Sequence, residues 1–144
     1  MKLQRTVETT APPAAVFAYL SDFTTTTEWD PGTVRTERVS GDGRVGTTYA
    51  NTSKFMGRET ELTYEVVTHR PDEQFALRGE NSTVIANDTM DITPLGSGSK
   101  VTYTSDFEFK GISRFVAPLL RPALKKLGDE AEGGLRSALA KLPS

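Results

Sequence analysis

The chain has no cysteine, one histidine, one tryptophan and no unbroken apolar run of the ~18 residues that a bilayer-crossing helix needs. Each shortage removes chemistry. Without cysteine there is no disulfide framework, no zinc–thiolate site and no thiol nucleophile. Any histidine base or ligand must be His69, so a metal centre is not expected. Charge of one sign is missing as well. Lys and Arg number 17 against 19 Asp and Glu, mixed along the chain, for a net charge of −2. That leaves no basic footprint, and nucleic acid is not an expected partner. The start, MKLQRTVETT, lacks the apolar core of a signal peptide, which predicts a cytoplasmic protein. The N-x-[ST] triplets at Asn51, Asn81 and Asn87 then read as chance in a Thr- and Ser-rich chain.

What is present is a length of 144 residues, the size of one domain spanning 1–144. Such a chain buries roughly 68–70% of its unfolded surface and needs no outside support for its core. Leu3, Arg5, Val7 and Thr9 alternate with polar neighbours and predict a first strand. In APPAAVFAYLSDF the prolines suit a first helical turn capped by Thr10 or Ala11, with Val16, Leu20 and Phe23 at helical spacing. TTTTEWDPGT follows as a loop or helical turn, in which Trp29 either caps a pocket or anchors the loop.

From residue 33 to 110 the period changes to two. Strands are expected at 33–40, 46–56, 59–70, 73–79, 82–92 and 99–110, with turn residues between them. The short links imply antiparallel neighbours, because parallel ones need a crossover of about a dozen residues. One separator, GDGRVG at 41–46, reads as G-x-G-x-x-G. A dinucleotide fingerprint needs a helix opening at its last glycine. Thr47-Thr48-Tyr49-Ala50 is a poor helix, so Asp42-Gly43 is read as a tight hairpin turn instead. From Ile112 apolar residues recur at three- and four-residue steps to Leu142, predicting a long helix with a kink or late start near Pro118.

Strand, helix, six antiparallel strands and long helix, in that order, resemble the START-like (SRPBCC) superfamily and its polyketide cyclase/dehydrase-type members, with the tree-pollen allergens as distant relatives. The resemblance is carried by TVETTAPPAAVFAYLSD, by Trp29-Asp30-Pro31-Gly32, by Gly46-Thr47-Thr48-Tyr49, by TYEVVTHRPDEQFAL and by the ending FEFKGISRFVAPLLRPALKK. It implies an α+β helix-grip fold. A seven-stranded curved antiparallel sheet would wrap around the C-terminal helix, with short helices after the first strand and an apolar cavity between sheet and helix.

Alternation nominates the residues that face such a cavity. They are Tyr49, Asn51 and Ser53, then Leu62, Tyr64 and Val66, then Phe75 and Leu77, then Val84, Ala86, Asp88 and Met90, and finally Tyr103, Ser105, Phe107 and Phe109. Trp29 joins them, with Phe115, Leu119, Leu120 and Leu127 from the helix. A face of this kind packs a core or lines a small-molecule site, and the polar members are those whose partner would be a ligand. Asp88, and with it Tyr64, are the candidates for proton transfer, Asp88 because burial would raise its pKa. His69 precedes the turn Arg70-Pro71-Asp72 and reads as an exposed loop residue. Arg5 reads as a snorkelling surface side chain, or as a partner for Asp88 or an acidic ligand. Arg114, Arg121, Lys125 and Lys126 form a solvated face or meet an acidic membrane surface.

Three functions follow as expectations. The first is binding or carriage of a hydrophobic small molecule, a lipid, polyketide-like aromatic or isoprenoid, by a monomer or weak homodimer that makes at most transient membrane contact. The second is a cyclase or dehydratase working in the same cavity without metal or nucleotide cofactor. The third is a protein-interaction module.

Overall fold

In a computed structural model describing residues 1–144, the period-two segments form seven strands. They are β1 (Lys2–Thr9), β2 (Thr33–Ser40), β3 (Thr48–Phe55), β4 (Arg58–Arg70), β5 (Gln74–Glu80), β6 (Val84–Leu95) and β7 (Gly98–Phe109). All neighbours pair antiparallel in the order β1-β7-β6-β5-β4-β3-β2, so the meander closes only where β1 joins β7. Two short helices, α1 (Pro13–Leu20) and α2 (Thr26–Trp29), with a 3-10 turn (Phe23–Thr25) between them, link β1 to β2. After β7 come α3 (Ser113–Val116), a 3-10 turn (Ala117–Leu120) and α4 (Arg121–Ala140). The expected helix-grip fold is the observed one.

Val16, Phe17 and Leu20 of α1 and Ala131, Leu135, Ala138 and Leu139 of α4 pack one end of the curved sheet, against Val7, Val66, Phe75, Met90 and Val101. Leu135 and Leu139 are fully enclosed, a burial of about 1.5–3 kcal/mol for each. Gly134 explains why a helix of this length tolerates glycine. A Cβ there would lie 1.9 Å from the Trp29 carbonyl oxygen, so only glycine lets α2 end against α4.

Four local expectations need correction. The cap of α1 is Pro12, with Pro13 in the first turn, while Thr9 Oγ1 accepts from Ala11 N at 3.2 Å. GDGRVG belongs to a longer loop, 41–47, rather than a two-residue turn. Gly41, Gly43 and Gly46 all have φ near +95° (96°, 98° and 94°), and Gly43 N donates to Thr47 Oγ1 at 2.8 Å. A strand follows it, so there is no helix N-terminus to hold a phosphate. His69 lies inside β4 rather than in an exposed loop, half-buried because α1 lays Phe17 edge-on to its ring at 5.0 Å. Finally β6 runs past Pro94 to Leu95, leaving Gly96-Ser97 as the whole turn.

The C-terminal helix breaks where Pro118, with no N–H to give, replaces α-helical bonding by a 3-10 turn. Pro122 costs nothing in the first turn of α4. No helix is long and apolar enough to cross a membrane.

Candidate functional site

Because α1 and the second half of α4 fill only one end of the sheet's concave face, the other end stays open. It holds a cavity of about 150 Å³. Its walls are Leu62, Phe55, Val84, Ala86, Phe107 and Phe109 from the strands, Phe23 and Trp29 from the β1–β2 link, and Leu124 and Leu127 from α4. Polar side chains interrupt this surface at two places.

The first is a self-contained chain. Asn51 Nδ2 donates to Thr36 Oγ1 at 2.8 Å, Thr36 shares a hydrogen bond with Thr26 at 2.7 Å, and Ser53 Oγ donates to Asn51 Oδ1 at 2.8 Å. Its members satisfy one another, so burial costs little.

The second is a charged and incompletely satisfied group: Asp88, Ser105, Tyr64, Tyr103, Asp30 and Trp29. Asp88 stands opposite Ser105 in the β6–β7 ladder, and Ser105 Oγ donates to Asp88 Oδ1 at 2.6 Å. Burial lifts the Asp88 carboxyl to about 6, with the Asp30 charge adding to the rise and the Ser105 hydrogen bond partly opposing it. Asp30 is raised by burial too. Its oxygens accept from Gly32 N at 3.1 Å and Thr33 Oγ1 at 3.0 Å, which holds the rise back. Burial, and then the nearby Asp88 and Asp30 charges, push the Tyr64 and Tyr103 phenols well above their ordinary value, so both remain protonated donors. Trp29 Nε1 is buried without an acceptor, the one orphaned side-chain polar atom in the chain. Its ring meets Tyr103 edge-on at 5.5 Å.

Of the strand and loop residues nominated from the sequence, Trp29, Asn51, Ser53, Leu62, Tyr64, Val84, Ala86, Asp88, Tyr103, Ser105, Phe107 and Phe109 line this cavity. Tyr49, Phe75, Leu77 and Met90 point to the same concave face but lie in the packed core. Alternation reports the face, not the distance along it, and the helices decide which end is filled. Phe115 and Leu119 stand outside in solvent, and the half-buried Leu120 is not on the wall. The break at Pro118 turns their stripe away, so that of the four helix residues expected on the wall only Leu127 stands there, joined by Leu124. Arg5 pairs with Asp129 at 2.9 Å and Glu132 at 3.4 Å, tying β1 to α4, and has no part in the Asp88 group.

Sequence reasoning missed Asp30, Phe23, Thr26 and Phe55. Phe55 continues the alternation of Tyr49, Asn51 and Ser53, so its signal was present. Asp30 looked like a turn residue before Pro31-Gly32, and it is one. What half-buries it is its position beneath α4, whose Leu127 side chain lies over the neighbouring Gly32.

Residues 1–141 match the model of the family described as polyketide cyclase / dehydrase and lipid transport. No curated protein matches. Among solved structures, the chain is similar to TTHA0849 from Thermus thermophilus, with 17% identity, TM-score 0.80, and 96% of this chain and 97% of that one covered. It is similar also to the Zhui aromatase/cyclase from Streptomyces sp. R1128, with 14% identity, TM-score 0.81 and coverage of 96% and 93%. A START superfamily protein from Mycobacterium smegmatis gives 19% identity, TM-score 0.72 and coverage of 95% and 98%. At these identities the likeness is one of fold.

Proposed function

The chain belongs to the polyketide cyclase / dehydrase and lipid transport family, and we propose that it binds and carries a hydrophobic small molecule in the cavity between its sheet and α4. A lipid, a polyketide-like aromatic or an isoprenoid fits the chemistry of the walls. The observation that carries the reading is one apolar cavity with a single incompletely satisfied group of polar atoms, since sites for small molecules pair such walls with a few placed donors. An oxygen on the ligand would accept from Trp29 Nε1 or from a tyrosine hydroxyl, while its hydrocarbon lies against Leu62, Phe107, Phe109 and Leu124. The reading takes the carrier to be cytoplasmic, a monomer or weak homodimer, with no metal or nucleotide.

A cavity of about 150 Å³ is below the roughly 300–1,000 Å³ of sites for drug-sized ligands. Uptake therefore displaces side chains. The wall free to move is the one ending at Leu124, because no residue between Phe109 and Leu124 is buried. Native mass spectrometry of protein isolated from its host tests the proposal. A bound apolar compound of a few hundred daltons is expected, and a protein that stays empty against broad lipid and aromatic panels contradicts it.

A second reading, a cyclase or dehydratase in the same cavity, is favoured by Asp88. A carboxyl that titrates near 6 exchanges protons close to neutral pH, and the un-ionised Tyr64 phenol beside it can donate to a developing oxyanion. Turnover of a polyketide-like substrate that is lost in Asp88→Asn and Tyr64→Phe, with binding kept, distinguishes this reading from carriage.

A further inference from the structure

The stretch that joins two walls of the cavity is built against the usual pattern. It runs from Phe109, at the end of β7, to Leu124 in α4, and nothing inside it is buried. Yet it is rich in large apolar side chains, with Ile112 83%, Phe115 71% and Leu119 79% exposed and Val116 beside them at 45%. Isolated exposed apolar residues are ordinary on a protein surface. Four within eight positions, at i, i+3, i+4 and i+7 of a helical segment, fall on one face of it, and clustered exposure of this kind marks a docking surface.

The charge around the patch names the partner. Residues 110–126 contain Lys110, Arg114, Arg121, Lys125 and Lys126 and no acidic residue, in a chain whose net charge is −2. Lys110 is tied to Glu80, and Lys126 reaches Glu130 at 3.9 Å. Arg114, Arg121 and Lys125 have no carboxylate within salt-bridge distance, and the Arg114 guanidinium lies 5.2 Å over the Phe115 ring. Apolar side chains flanked by unpaired guanidinium and ammonium groups match the acyl-chain boundary and the phosphates of an anionic leaflet. An aqueous protein partner would have to supply both an apolar groove and an acidic rim. An anionic bilayer supplies both everywhere on its surface.

We propose that the Ile112–Leu119 segment docks this protein on anionic lipid membranes. Phe115 and Leu119 enter the interface, while Arg114, Arg121 and Lys125 engage lipid phosphates. Docking of this kind sets the cavity wall at Phe109 and Leu124 against the bilayer. It does not depend on the cavity being occupied, so it stands or falls separately from the carrier reading.

The test is sedimentation of the full chain with vesicles of phosphatidylcholine alone or with about a third phosphatidylglycerol, at about 0.1 M and about 1 M salt. Binding to the anionic vesicles alone is expected, with at least a roughly tenfold loss at high salt, because surface charge attraction is screened. Phe115→Ser with Leu119→Ser, and separately Arg114→Glu with Arg121→Glu, should each lower the bound fraction at least about tenfold. Val39→Ser, at an exposed apolar site on β2, should leave it unchanged. All the substituted side chains are exposed, and circular dichroism confirms that the variants keep the fold. The proposal is overturned by equal binding to neutral vesicles, or by indifference to both pairs of substitutions. It is overturned also if the Phe115 and Leu119 substitutions abolish a concentration-dependent dimer in a protein that binds no vesicles, since a second copy would then cover the patch.

Discussion

Ser105 faces Asp88 across the β6–β7 ladder and donates a 2.6 Å hydrogen bond to a carboxyl that burial has raised to about 6. The pair sets how the cavity responds to pH. The folded protein holds the Asp88 proton more tightly than an unfolded chain does, whose aspartates titrate near ~3.9. Between about pH 4 and about pH 6 the folded state therefore binds more protons, and stability falls as pH rises through that window. Above it the cost of holding a buried carboxylate is fully present, and below it the cost is absent.

Asp88→Asn removes that cost and keeps an acceptor for Ser105. At pH 8 the variant should be more stable than the wild type by about 1–3 kcal/mol, the worth of raising the carboxyl from ~3.9 to about 6, and the gain should vanish near pH 4. Urea unfolding at the two pH values measures it. An equal effect at both would show that Asp88 is not buried in its charged form.

Ser105→Ala takes away the hydrogen bond that favours the carboxylate, so the Asp88 pKa should move further above about 6. Carbon-13 NMR titration of the Asp88 carboxyl reads this directly. A fall in the pKa would contradict the assigned role of the hydroxyl.

Adjacent glycines in α4 should respond in opposite directions. Gly133 has open space where a Cβ would go, whereas one on Gly134 would collide with the Trp29 carbonyl oxygen. Gly133→Ala should stabilise by about 0.5–1 kcal/mol through helix propensity. Gly134→Ala should destabilise by about 2 kcal/mol or more, as overpacking does. Thermal unfolding of the two variants checks the pair, and like signs would mean that α2 and α4 do not meet as described.

Local physics marks some of these features in the sequence, and long-range packing decides the others. Period-two alternation correctly placed Tyr64, Asp88, Tyr103 and Ser105 on one face, because a strand sends alternate side chains to opposite sides whatever surrounds it. Proline chemistry located the break at Pro118 for the same local reason. What alternation does not carry is position along the face. Phe75, Leu77 and Met90 became core and Leu62 and Phe107 became cavity wall because α1 and α4 fill one end only. Those are long-range packing events with no local signature. Phe115 and Leu119 continue the helical period on paper, but the short 3-10 turn around Pro118 suffices to turn them outward. Asp30 has a local role as a turn acceptor, and its partial burial depends on a helix far later in the chain.

Trp29→Phe probes the orphaned donor. Losing an N–H that has no acceptor removes a burial penalty of about 1–3 kcal/mol, which offsets the lost ring volume. Stability should therefore fall by much less than the ~3–5 kcal/mol typical of deleting a buried aromatic. Affinity for an oxygen-bearing apolar ligand should fall roughly fivefold, the worth of one hydrogen bond of about 1 kcal/mol. Calorimetric unfolding and ligand titration together test both halves, and a large stability loss with unchanged affinity would assign Trp29 to packing alone.

An apolar ligand is proposed to occupy the cavity between the sheet and α4. Ala86 lies on its wall, almost fully enclosed, so Ala86→Leu fills the space from within while leaving the surface and the docking segment untouched. Native mass spectrometry of wild type and variant, each incubated with the same lipid and aromatic panel, is the most direct measurement. A ligand-bound mass is expected for the wild type and only the bare chain for a folded Ala86→Leu. Equal occupancy of the two proteins would place the ligand elsewhere and contradict it.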